Sequence, residues 1–110
     1  MRFILSASFR ADYRRLTAEE KDLARNAVME FSAACDRYVS DQTPFPSRLR
    51  VKPIQGAPGV FEMTWSFAGP DGRATWDWTE VQVADDAGGT VQMPAVRWRR
   101  IGDHGIFRQP

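Results

Sequence analysis

FEMTWSFAGPDGRATWDW, residues 61–78, decides the fold. Phe61, Met63, Trp65 and Phe67 alternate with Glu62, Thr64 and Ser66, the period-two pattern of a half-buried strand. Gly69-Pro-Asp-Gly72 follows. Proline presets one central residue of a tight turn and glycine supplies a positive φ, so the chain is expected to reverse here. The returning segment sets Ala74, Trp76 and Trp78 on one face and Arg73, Thr75 and Asp77 on the other. Two strands with one oily face and one polar face require a covering layer on the oily side.

That layer lies upstream. Residues 2–5 (RFIL) suit a short opening strand, and Ser8 can N-cap a helix from Phe9 to Leu16. Thr17-Ala-Glu-Glu20 reads as a capping box that opens a second helix, Ala18 to about Tyr38. Leu23, Ala27, Phe31, Ala34, Cys35 and Tyr38 form its apolar stripe, with Asp22, Arg25, Glu30 and Arg37 toward water. The tight join predicts an αα-hairpin. Downstream, Leu49 and Val51, with Ile54 as a further candidate, alternate with Arg48, Arg50 and Lys52, and Gly56-Ala-Pro-Gly59 is a turn. After a turn at Asp85–Gly89 a last strand covers Val91 to Ile101, which Pro94 breaks or bulges. The expectation is one α+β domain over residues 1–110 in the order β-α-α-β-β-β. An N-terminal strand and a helical hairpin pack on one face of a mostly antiparallel four-stranded sheet, and the other face is left polar, concave and partly basic.

Composition limits the function classes. At 110 residues, 43% hydrophobic and 26% charged, the chain suits one globular core. No apolar run reaches the roughly 20 residues of a membrane span, and the apolar stretch of MRFILSASF is too short for a secretory signal. One cysteine, Cys35, cannot form an internal disulfide; a cytoplasmic location is expected, with Cys35 an inert buried thiol. The net charge of +1 shows no global basic excess, yet Arg97, Arg99, Arg100 and Arg108 gather against a single acid, Asp103. Within this run stands the only histidine, His104.

Several segments together resemble the RelE/ParE superfamily of toxins from bacterial toxin–antitoxin modules. FRADYRRLTAEEKDLARNAVMEF is similar to its paired-helix opening, and SRLRVKPIQGAPGVFEMTW to its leading strand, short turn and aromatic strand. GRATW resembles the strand carrying the family's arginine, and RRIGDHGIFR its closing glycine, acid, histidine and aromatic. The resemblance implies an mRNA endoribonuclease, many such members acting on the ribosome, that inhibits translation and is held by a cognate acidic antitoxin. It implies Arg73 as the catalytic arginine, His104 as the closing histidine, Phe107 as the closing aromatic and Lys52 as a phosphate contact. Glu62 and Thr64 depart from the basic groups that relatives carry. A gyrase-binding toxin without enzymatic activity and an inactive relative of the fold are the alternatives.

Cleavage by RNA's own 2′-hydroxyl needs a base, an acid and cations at phosphorus. Histidine titrates near neutrality and arginine meets two phosphate oxygens with its planar fork. His104 is assigned as acid, Glu62 as base, and Arg73 and Arg99 as phosphate ligands, with Phe107 stacking on a base. Arg50, Lys52, Arg97 and Arg108 complete the expected phosphate-binding set. No metal or cofactor is called for, since His104 has no Cys or His partner at ligand spacing. Plain structural roles stand beside these: His104 as a turn residue, Phe107 closing the core, Glu62 and Arg73 as a cross-strand ion pair, and the arginines as a charged sheet edge.

Overall fold

A computed structural model describes residues 1–66 and 72–110, with residue 104 described by its backbone alone. Among these residues the order is β1 (Arg2–Leu5), α1 (Ala7–Arg14), α2 (Ala18–Asp41), β2 (Lys52–Pro53), β3 (Val60–Ser66), β4 (Gly72–Ala84) and β5 (Thr90–Gly102). Short 3-10 turns occupy Ser47–Leu49 and His104–Arg108. The strands form one mixed sheet in the order β1-β5-β4-β3-β2. β1 runs parallel to β5 and the other neighbours are antiparallel. The α+β class is as expected, but the sheet has five strands rather than four. Phe67 and the expected turn at 69–71 lie outside the described residues.

The helices begin where side chains can satisfy their exposed N–H groups. The Ser6 hydroxyl oxygen accepts from the Phe9 N–H at 3.0 Å, while the hydroxyl donates to the Arg99 carbonyl at 2.8 Å. Ser6 therefore caps α1, not Ser8, because only Ser6 sits where β1 leaves β5. The capping box forms as read: Thr17 N–H donates to Glu20 at 2.9 Å and Glu20 N–H to Thr17 at 3.1 Å. α2 runs to Asp41, beyond the expected Tyr38, and ends on Gln42 in the left-handed region at φ 63°. Ala24, Ala27, Phe31, Ala34 and Cys35 are its buried residues, whereas Leu23 stays 40% exposed.

Both helices cover one face of the sheet. Phe9, Phe31 and Cys35 join Met63, Trp76, Trp98 and Ile101 in one core. Phe31 meets Trp76 edge-on at 4.9 Å between ring centroids, and Phe61 stacks on Trp76 at 4.8 Å. Such pairs contribute about 0.5–1.5 kcal/mol each beyond area burial. Cys35 is fully buried, and burial pushes its thiol up to about 12, which makes it a poor nucleophile.

Two strand expectations change. The alternation from Leu49 gives only the two-residue β2, because Leu49 closes a 3-10 turn and Arg50 is left-handed at φ 49°. Pro94 neither breaks nor bulges β5. It pairs with Glu80 just before β1 joins at Ala95, so its missing N–H faces no neighbouring strand. The bulge lies further on: Trp76 faces Trp98 while Thr75 faces Arg100, leaving Arg99 as the extra residue.

No helix among the described residues is long and apolar enough to cross a membrane.

Candidate nucleic-acid interface

Strand alternation sends Glu62, Thr64, Arg73, Thr75, Asp77 and Arg97 to the face away from the helices. Two charge clusters form there. In the first, Glu62 Oε1 lies 3.6 Å from Arg73 Nε and 3.8 Å from Lys52 Nζ. The Lys52 side chain is 64% exposed, whereas those of Glu62 and Arg73 are only 10% and 8% exposed. In the second, Asp77 accepts two hydrogen bonds from Arg97, at 3.0 and 2.7 Å, and one from Arg99 Nη1 at 3.0 Å. The Asp77 carboxylate holds the Arg97 guanidinium above its already high ordinary pKa. Both guanidinium groups are thereby fixed in direction.

The C-terminal segment closes over this face. The Pro110 carbonyl oxygen accepts from Thr75 Oγ1 at 2.9 Å and from Arg99 Nε at 3.0 Å. Arg100 turns to the free edge of β5, where Asp12 accepts from its Nε at 2.6 Å, from its Nη2 at 3.2 Å and from the Ile101 N–H at 3.2 Å. That pairing raises the Arg100 pKa as well. A cleft of about 530 Å³ opens beside the segment, lined by Arg97, Arg99, Arg100, Ser6, Ser8 and Val60 among others, with no acidic side chain among the described residues of its wall.

The polar face is therefore not the open concave surface expected. Glu62, Thr64, Arg73, Thr75 and Asp77 are all buried, and the exposed cations stand at its margins. Arg73 and Arg99, both expected as phosphate ligands, belong to different clusters: Arg73 beside Glu62, Arg99 beside Asp77. Arg50 caps the 3-10 turn at Ser47–Leu49 and is exposed, as is Arg108 on the closing turn. Phe107 is half-buried, and it is Ile106, 5% exposed, that seals the segment. Arg73 pairs with Gly102, so backbone positions 73 and 104 share one end of the sheet. His104 opens the 3-10 turn behind Asp103, whose carboxylate accepts from the Gly105 N–H at 2.8 Å.

Asp77, Thr75 and Asp12 organise the site, and no role was expected of them. Alternation did place Asp77 and Thr75 on the polar face. Nothing in the sequence links Asp12 to Arg100, which is 88 residues away. Among the described residues, no three His, Cys, Asp or Glu side chains gather as metal ligands. No protein-family model, curated protein or solved structure matches the chain.

Proposed function

We propose that the chain is a toxin of RelE/ParE type, a metal-independent endoribonuclease that cuts mRNA in the cytoplasm and so stops translation. One observation carries the reading: a single sheet face holds four cations (Lys52, Arg73, Arg97, Arg99) against two carboxylates (Glu62, Asp77), and its end is closed by the segment bearing His104. Arg97 and Arg99, oriented by Asp77, hold flanking phosphates with N–H groups not spent on that carboxylate. Glu62 takes the 2′-hydroxyl proton, His104 protonates the leaving 5′-oxygen, and Arg73 meets the charge growing on phosphorus. Phe107 stacks on an unpaired base. RNA reaches Glu62 and Arg73 only by displacing part of their cover.

An acidic antitoxin belongs to this reading. A groove of about 540 Å³ between the helices and β1–β5 is lined by Phe3, Leu5, Val28 and Trp98 and flanked by Arg10, Arg14 and Arg25. That combination suits an acidic segment with apolar anchors.

The test is incubation of the protein with single-stranded RNA in excess chelator. Fragments ending in 2′,3′-cyclic phosphate are expected. His104→Ala and Arg73→Lys are expected to slow cleavage by about 100-fold or more with circular dichroism unchanged. Intact RNA with the parent protein, or parental rates with His104→Ala, would defeat the proposal. The burial of Arg73 and Glu62 favours a second reading, an inactive relative in which the pair serves the sheet alone. Arg73→Lys would then lower the melting temperature while RNA stays whole in every sample.

A further inference from the structure

Beyond Asp77 and Ala95 the β4–β5 hairpin leaves the body of the sheet. β3 pairs with β4 only as far as Asp77, and β1 pairs with β5 only from Ala95. Trp78–Ala84 and Thr90–Pro94 thus have only each other as strand partners, although Trp78 at the base still stacks on Tyr38 of α2, and the molecule is elongated to 50 × 30 × 29 Å. A two-stranded ribbon alone in water is marginally stable. This one is sharply two-sided. Register sets Val81 opposite Met93 and Val83 opposite Val91 on one side, and Glu80, Gln82 and Gln92 on the other. Val91 and Met93 are 43% and 36% exposed, and Val81 and Val83 are half-buried.

The two ends of the apolar side carry opposite charge. Asp85 and Asp86 form the tip, where Asp85 Oδ1 accepts from the Ala87 and Gly89 N–H groups at 3.0 and 2.8 Å. Arg97 and Arg99 stand at the base around the single carboxylate of Asp77, so that end is basic by the excess of arginine. Counting from Val81, the tip begins at Asp85 and the base row at Asp77, equal intervals of about 13 Å at the usual strand rise. A surface that is apolar at its centre, acidic one way and basic the other is complementary to itself when turned by 180°.

We infer that the ribbon is a self-association surface: two copies pack apolar side to apolar side about a two-fold axis at the Val81–Met93 pair, each acidic tip reaching the other copy's Arg97. Met93 meets its own counterpart on the axis, and Val83 meets the half-buried Thr79. The parallel arrangement is disfavoured because it sets acid on acid and base on base. The area is small beside the roughly 1,600 Å² of a standard interface, so the dimer is weak and reversible. The inference stands independently of RNA cleavage.

Sedimentation velocity on the full chain, from about 1 to about 300 µM, tests it at the affinities such a small interface allows. The parent is expected to pass from monomer to dimer across the series, and Met93→Glu to weaken the dimer at least tenfold. Asp85→Asn with Asp86→Lys reverses the tip while keeping the turn's acceptor, and Arg97→Glu reverses the base. Each of these should sediment as a monomer alone, and their equimolar mixture should recover the dimer. That recovery also shows that both variants fold. A parent that stays monomeric throughout, a dimer indifferent to Met93→Glu, or a mixture that stays monomeric would each overturn the inference.

Discussion

Asp77 governs the cationic side of the molecule. It is 8% exposed and ties two arginines from the neighbouring strand. Asp77→Asn keeps the shape but removes the charge that orients both guanidinium groups. The expected cost is about 1–3 kcal/mol of stability, seen as an earlier urea midpoint with unchanged slope. On the RNA reading the same change strengthens binding, since one anion leaves the face, and the salt slope steepens by about 0.7 for single-stranded RNA. Weaker RNA binding would show that Asp77 positions the arginines more than it opposes the phosphates. Gly72 makes a separate residue-scale point. The turn chemistry of the sequence asks for a positive φ from glycine, yet Gly72 is not among the glycines with one. A Cβ there would overlap the Trp65 ring, whose Nε1 donates to the Arg73 carbonyl at 2.9 Å. Gly72→Ala is expected to cost about 1–3 kcal/mol through overpacking, measured by thermal melting. The sequence shows the glycine but not the indole that requires it, because the two meet only once the strands pair.

At the scale of elements, local chemistry was the most legible. The capping box, the β3–β4 alternation and the turn at Gly56–Gly59 all depend on neighbours a few residues apart, and all appear. What escaped depends on distant partners. Ser6 rather than Ser8 caps α1 because Trp98 and Arg99 offer carbonyls to Ser6. β2 is short because Arg50 and Pro53 interrupt an otherwise convincing alternation. β5 survives Pro94 because of where β1 begins to pair. α2 carries a prediction of its own. The Cys35 thiol is raised from 9.0 to about 12 by burial, so the folded state keeps a proton that the unfolded chain releases. The thiol's contribution is full below pH 9.0 and declines as pH rises toward about 12. The difference in melting temperature between the parent and Cys35→Ala should therefore shift against the parent across that interval. A constant difference would mean that Cys35 does not titrate differently in the two states.

The whole molecule divides its charge by face, which a net charge of +1 conceals. One side of the sheet holds the aromatic core, and the other holds arginines and lysine at the rim of a buried polar centre. Arginine clustering in residues 97–108 was readable. The closing of this face was not, because Gln109 and Pro110 fold back onto Thr75, Arg99 and Arg100 from outside the strands. The protruding ribbon was equally hidden, since strand length in sequence does not reveal where neighbouring strands stop. On the proposed reading, the face away from the helices receives RNA, and an amide NMR titration with a short single-stranded RNA is the decisive measurement. Shifts are predicted at residues 62–64, 73–77 and 97–108, with α2 unmoved; shifts confined to the helices, or none at saturating RNA, would contradict it.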